Sequence, residues 1–183
     1  MPAVSVWQKF FNPSVILQSL GLDKACRHVV EFGCGYGTFT IPAAKVICGN
    51  LTALELDPAM ITYTQKQAAQ EGLNNVFYKE IDFCSATTEM GKRCADFVML
   101  FNILHGEDPG QLLAEAHELL VPGGTCAIIH WNHDPDTPRG PPMKIRPKPQ
   151  TLAALSVEAG FSTSPMIDLP PYHYGYRLLK PSA

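Results

Sequence analysis

The sequence predicts an α/β protein built on a mostly parallel sheet covered by helices on both faces. Three observations carry this. Apolar runs of strand length alternate with helical patterns between residues 28 and 131. A glycine turn, Gly33-Cys34-Gly35-Tyr36-Gly37, follows the first of those runs. The fourth run, Cys94 to Asn102, is almost wholly apolar, as expected of a strand buried on both faces.

The length of 183 residues fits one domain over 1–183 and permits a sizeable core. Within it, residues 1–27 read as a helical cap of one or two short helices. Trp7, Phe10, Phe11, Val15, Ile16, Leu17 and Leu20 supply its apolar face and Gly21 its stop. The preferred expectation is packing against the edge of the sheet. The alternative is a lid with Trp7, Phe11 and Asn12 on its inner side.

The first strand runs through Val29-Val30-Glu31-Phe32 and enters the glycine turn; a helix follows from Phe39 to about Ile47. Glycines there let a backbone approach a ligand closely and adopt positive φ. Leu51 to Leu56 is the second strand. Asp57-Pro58 then starts a helix that runs to about Glu71, with Asp as N-cap and Pro at the first position, and Gly72 ends it. Asn75 to Ile81 is the third strand, with Asp82-Phe83 at its end and a short helix expected from Ser85 to Gly91.

After the fourth strand, Asp108-Pro109 caps a helix carrying Leu112, Leu113, Ala116, Leu119 and Leu120 at helical spacing. Pro122-Gly123-Gly124 is read as its end, and Thr125 to Trp131 as the fifth strand. A proline-rich loop at 132–149 has no periodicity; a loop of that length often covers a site. A helix from Thr151 to Ala159 precedes two short strands, Pro165–Leu169 and Tyr174–Lys180, whose short link predicts antiparallel pairing.

Strand, glycine turn and helix together form a nucleotide-type corner at the carboxyl end of a sheet. Glu55 lies 22 residues after Gly33, at the end of the second strand, where a carboxylate can accept hydrogen bonds from ribose hydroxyls. Asp57 is better explained as a helix cap. Asp82 can accept from the exocyclic amine of adenine or cap the short helix expected from Ser85.

Bulk properties exclude several classes. A net charge of −3 and a pI near 6.0 give no electrostatic case for nucleic acid, although Lys144, Arg146 and Lys148 form a small basic patch. No apolar run reaches transmembrane length, so no membrane partner is expected. The six cysteines include no C-x-x-C pair. With no secretory pattern after Met-Pro-Ala-Val, reduced thiols and a cytoplasmic location are expected. No fixed-spacing ligand set supports a metal, His130 and His133 included.

Glu31-Phe32-Gly33-Cys34-Gly35-Tyr36-Gly37 resembles the cofactor loop of class I S-adenosylmethionine-dependent methyltransferases of the type 11 or 12, small-molecule branch. Four further segments match in order: Ala53 to Met60, Asp82-Phe83, Asp96-Phe97-Val98 with Asn102 to His105, and Leu119 to Gly124. The likeness spans about residues 28–131. It implies a Rossmann-like three-layer sandwich with a seven-stranded, mostly parallel sheet and a C-terminal antiparallel hairpin. It implies S-adenosyl-L-methionine as cofactor and S-adenosyl-L-homocysteine as product. The implied cofactor residues are Glu31, Gly33, Cys34, Gly35, Gly37, Glu55, Leu56, Met60, Asp82, Phe83, Phe101 and Asn102. The N-P-P-Y signature of DNA-adenine and glutamine methyltransferases is absent after the fourth strand, where Asn102-Ile103-Leu104-His105 stands.

The expected activity is in-line methyl transfer to a small-molecule acceptor, with the catalytic residues, acceptor and oligomeric state left open. His105, His130, Trp131 and Arg139 are the substrate-side candidates, with His133, Tyr172 and His173 behind them. A protein acceptor, a non-catalytic cofactor-binding partner and a nicotinamide-dependent oxidoreductase are the competing readings. Glu31 before the glycines, the Pro-Gly-Gly turn and the terminal hairpin argue against the last.

Overall fold

A computed structural model describes residues 10–85 and 87–182. Trp7, on the expected N-terminal apolar face, lies outside them. The described elements run α1 (Pro13–Ser19), β1 (His28–Phe32), α2 (Thr40–Val46), β2 (Asn50–Glu55), α3 (Pro58–Gln70), β3 (Val76–Glu80), β4 (Ala95–Phe101), α4 (Pro109–Leu119), β5 (Leu120–Trp131), α5 (Pro149–Glu158), β6 (Ser162–Thr163), β7 (Ile167–Leu169) and β8 (His173–Leu179).

The strands form one sheet in the order β3-β2-β1-β4-β5-β8-β6, with β7 also on β8. β1 to β5 pair in parallel, and β8 is antiparallel to β5. The C-terminal antiparallel hairpin is therefore present. Its outer strand is split into β6 and β7, which makes eight strands instead of seven. Pro165 lies at the split and has no N–H to give the ladder. The Ser164 hydroxyl accepts the Arg177 N–H at 3.0 Å there.

Alternation along the parallel strands divides the core. Val29, Leu51, Phe97, Met99, Ala127 and Ile129 face α1 and α2. Val30, Phe32, Leu54, Val98, Leu100 and Ile128 face α4 and α5. Ile16, Leu17 and Leu20 of the α1 region are buried in the first layer, so this helix covers a sheet face and not an edge. Asp57 caps α3 through the Ala59 N–H at 2.8 Å, and Asp108 caps α4 through the Gln111 N–H at 2.9 Å.

Three local expectations are corrected. No helix forms over the described part of 85–91. Thr88 there donates its N–H to Glu115 of α4 at 3.0 Å, and Glu89 takes φ +53°, which a helix does not allow. Pro122-Gly123-Gly124 does not end the helix but lies inside β5. Ala95 pairs with Leu120 and Phe97 with Thr125, so the strand makes an outward detour between those pairs. Gly123, at φ +80°, donates to the Lys180 carbonyl at 2.9 Å and anchors that detour to the residue that follows β8.

The third concerns the basic patch. Arg146 is 7% exposed and turned inward. Its guanidinium donates to the carbonyls of Asn132 (2.9 Å), Asp134 (3.0 Å), Arg139 (3.3 Å) and Pro141 (2.9 Å), and to the Thr137 hydroxyl. The proline-rich loop, which cannot bond to itself in a regular ladder, is wound around this one cation. Among the described residues, no helix is long and apolar enough to cross a membrane, and no cluster of three metal-ligating side chains occurs.

Candidate functional site

β1 has β2 on one side and β4 on the other, so the strand order reverses there, and open α/β sheets bind ligands at such points. A cavity of about 450 Å³ opens at the carboxyl ends of these strands. That is the size class of small-molecule sites.

Its floor is the glycine turn. Gly33 donates to the Leu54 carbonyl at 2.8 Å, and Gly37 to the Cys34 carbonyl at 2.9 Å. Gly37 has φ +74°, and a Cβ on it would meet Thr64 Cγ2 at 2.8 Å. The Thr64 hydroxyl donates in turn to the Gly35 carbonyl at 2.8 Å. Turn and α3 therefore interlock only because position 37 has no side chain.

Two carboxyl groups flank this floor. Glu31 lines the cavity yet is 3% exposed, and it accepts the Thr40 hydroxyl. Burial, opposed by that hydrogen bond and reinforced by the nearby Glu55 charge, pushes its pKa up to about 8. Glu55 Oε2 accepts the Gly35 N–H at 2.9 Å, while Oε1 accepts the N–H groups of Leu56 (2.9 Å) and Asp57 (3.1 Å). Asp57 is the third acidic residue on the lining, and no Lys or Arg is among the lining residues.

The walls are apolar. Leu56, Met60 and Phe83 stand on the Glu55 side. Phe39 and Phe101 meet edge to face at 4.8 Å near Glu31 and Asn102. Asn102 takes φ +59°, and its buried Oδ1 has no partner. His105, on the loop after β4, also lines the cavity and has a buried, unpartnered Nδ1. Its burial lowers its pKa from the usual histidine value.

Of the residues singled out from sequence, Glu31, Gly33, Cys34, Gly35, Glu55, Leu56, Met60, Phe83, Phe101, Asn102 and His105 line the cavity. Gly37 supports the turn from beneath. Asp82 is placed outside the lining: its carboxylate accepts the Ser85 hydroxyl at 2.7 Å and the Cys84 N–H at 3.1 Å, which hold its pKa below the usual range. Burial raises the Cys34 thiol pKa far above normal, so Cys34 is an inert turn residue.

The remaining acceptor-side candidates lie elsewhere. His130 is fully buried, with its ring 5.6 Å from that of His105, and burial drives its pKa down to about 3. Trp131 is buried among Phe10 (5.3 Å), His173 (4.2 Å) and Tyr172 (6.4 Å). Arg139 is exposed on the proline-rich loop, and no residue of that loop lines the cavity. His133 bonds the Arg146 carbonyl at 2.8 Å and serves the loop. Tyr36, Thr38, Phe39, Asp57, Cys84, Ile103 and Gly106 are lining residues that the sequence reading did not assign to the site. Each adjoins a motif residue except Phe39, which is brought in by the first turn of α2.

The family model described as a methyltransferase domain matches residues 29–124, more than half of the chain. Aklanonic acid methyltransferase DauC of Streptomyces sp. (strain C5) is 29% identical over 105 residues, covering 56% of this chain and 47% of that protein. The ubiquinone biosynthesis O-methyltransferase of Caulobacter sp. (strain K31) is 29% identical over 109 residues, covering 57% and 40%. A SAM-dependent methyltransferase from Aquifex aeolicus superposes with a TM-score of 0.85 at 20% identity, covering 97% of this chain and 94% of that one. The chain spans less than half the length of these two curated relatives.

Fold and cavity together define an open α/β sheet with a nucleoside-type corner. The chain belongs to the methyltransferase domain family, on the class I fold, and S-adenosylmethionine is the cofactor of that class.

Proposed function

We propose that this protein transfers a methyl group from S-adenosylmethionine to a small-molecule acceptor. The observation that carries this is a cavity lined by Glu31, Glu55 and Asp57, with no lysine or arginine among its lining residues. Such a lining offers carboxyl oxygens to a ligand bearing an ammonium and a sulfonium, and has no cation to meet a dinucleotide's diphosphate. The orphaned Oδ1 of Asn102 and the buried Glu31 carboxyl are acceptors suited to that ammonium group. In this reading Glu55 would hold the ribose, and Leu56, Met60 and Phe83, which share the lining with it, would hold the adenine ring. Asp82 would act through the turn that it bonds, which carries Phe83 and Cys84.

The bound cofactor supplies an already activated methyl group. The chain's task is then to align the acceptor with it and to exclude water, and such alignment removes much of the barrier. The Phe39–Phe101 wall and Ile103 supply the dry surface. The domain's match with its relatives lies within residues 29–124 for the family model, so the acceptor class rests on the cavity.

Calorimetric titration with S-adenosylmethionine, S-adenosylhomocysteine and NAD tests the proposal. Micromolar-range binding of the first two, and none of NAD, is expected. NAD binding in preference to both would transfer the protein to the oxidoreductases. Absence of all three from a folded sample would leave a scaffold role.

A further inference from the structure

Six cysteines are present, and the methyl-transfer reading uses none of them as a reactive group. Two of them meet. Cys26 precedes β1, and Cys48 lies between α2 and β2. The Cys48 N–H donates to the Cys26 carbonyl at 3.2 Å, and the Cys48 thiol donates to the same oxygen at 3.4 Å. The two segments are pressed together at the next residues as well. Asn50 donates to the Arg27 carbonyl at 2.8 Å, and a Cβ on Gly49 would stand 1.9 Å from that oxygen. Backbones joined directly by such a bond hold their α-carbons about 5.5 Å apart, which is also the usual separation across a disulfide.

The two thiols have different surroundings. Cys48 is exposed, whereas Cys26 is half-buried against the α1–α2 side of the core. Burial raises the Cys26 thiol pKa, and the charges of Asp96, Asp23 and a Cys48 thiolate add to the rise, so each sulfur senses the other. An exposed thiol meets a reagent from water first, and a half-buried neighbour is placed to react with what the first has captured. Cys34 and Cys126 are buried away from solvent, and Cys84 lies on the cavity lining at the other end of the sheet.

We propose that Cys26 and Cys48 are a redox modification site, which a small organic disulfide such as oxidised glutathione converts to an intramolecular bridge. Cys48 loses its proton to water, and its sulfur bonds one sulfur of the small disulfide. The S–S bond of that reagent breaks, and its other half leaves as a thiolate that takes up a proton. Cys26 then loses its proton and its sulfur bonds that of Cys48, while the mixed disulfide breaks and the second small thiol leaves. The two cysteines give up two electrons, and the reagent is reduced to two thiols. Closing the bridge turns the Cys26 thiol away from the Asp23 backbone, which it bonds in the reduced chain. The bridge ties residues 26–48 into a loop that contains β1, the glycine turn and α2. Restricting that loop in the unfolded chain stabilises the unit that carries Glu31 and Thr40, from the end of the sheet opposite the cavity.

The test is a redox titration of the full chain in mixtures of reduced and oxidised glutathione, read by non-reducing tryptic mapping. Trypsin releases residues 25–27 and 46–66 as separate peptides from the reduced chain. After oxidation they are expected as one joined pair, lighter by two hydrogens than their sum. The oxidised chain should melt about 5–10 °C higher than the reduced one. Cys48→Ser should lose both the joined pair and the shift. In Cys26→Ser, Cys48 should keep the glutathione that Cys26 can no longer displace. Glutathione adducts alone at Cys48 of the wild type, a bridge to Cys84 instead, or an unchanged melting temperature in the bridged chain overturns the proposal.

Discussion

Glu55 Oε2 accepts the N–H of Gly35 at 2.9 Å, joining the end of β2 to the middle of the glycine turn. The other oxygen of the same carboxylate accepts two more backbone hydrogens, from Leu56 and Asp57. One side chain therefore shapes the turn, starts the loop before α3 and presents a negative oxygen to the cavity. A reader of sequence sees only a ligand for ribose; the geometry adds a structural duty.

Glu55→Ala should accordingly lose both. Hydrogen bonds to a charged group contribute about 1.5–3 kcal/mol, so affinity for S-adenosylmethionine should drop about 10- to 100-fold. The melting temperature should fall in the same variant, because three N–H groups lose their acceptor. Calorimetry and thermal unfolding read the two effects. Unchanged cofactor affinity would remove Glu55 from the site.

Gly37 and Gly72 have nearly the same backbone, φ +74° and +68°, but different surroundings. A Cβ at 72 meets nothing within 4 Å, whereas one at 37 would sit 2.8 Å from Thr64 Cγ2. Gly72→Ala should cost only the left-handed backbone penalty, roughly 1–2 kcal/mol. Gly37→Ala should cost at least about 1 kcal/mol more, since Thr64 must leave the Gly35 carbonyl. Equal losses in denaturant melts would show that turn and helix are not interlocked.

What the sequence disclosed follows a physical divide. Gly33, Gly35, Glu55 and the caps Asp57 and Asp108 act through neighbours in the chain or through a strand end, and local pattern reveals them. The Phe39–Phe101 wall joins segments far apart in sequence, and no local pattern encodes it. His130 shares the period-two face of Cys126 and Ile128, a signal that it turns into the helix-covered layer and not toward solvent. Arg146 reads in the sequence as part of a small basic patch, because composition gives no direction. Only the fold shows it collecting carbonyls that prolines leave without ladder partners.

Arg146→Met should release that loop while sparing the sheet. The methionine can occupy the space but cannot donate, so carbonyls of Asn132, Asp134, Arg139 and Pro141 lose their common partner. Exposed Arg139 then becomes a trypsin site in a mobile segment. Cleavage after Arg139 should speed up at least about ten-fold, the loss of roughly 1.4 kcal/mol of local protection. Cofactor affinity should hold, since no loop residue lines the cavity. Equal cleavage rates in variant and wild type would deny Arg146 its anchoring role.

Stability against pH should show two opposing linkages. Glu31 has a native pKa near 8 against 4.5 unperturbed, so the folded state binds the extra proton and stability rises as pH falls from 8 toward 4.5. His130 and His173 are pushed the other way, to about 3 from 6.5, by burial first. Below pH 6.5 the unfolded chain takes their protons and the folded one does not, so stability falls, by about 1.4 kcal/mol per pH unit for each. The two effects place the optimum near pH 6.5. Between 6.5 and 4.5 the Glu31 proton offsets one histidine, and below 4.5 the decline steepens. His173 lies against Trp131 at 4.2 Å and Phe11 at 4.4 Å, a nest that accepts a phenyl ring. His173→Phe should therefore flatten the slope of unfolding free energy between pH 6.5 and 4.5 and halve it below 4.5, without moving the limb above pH 7. An unaltered acid slope would mean that His173 is protonated in the native state, against the burial that surrounds it.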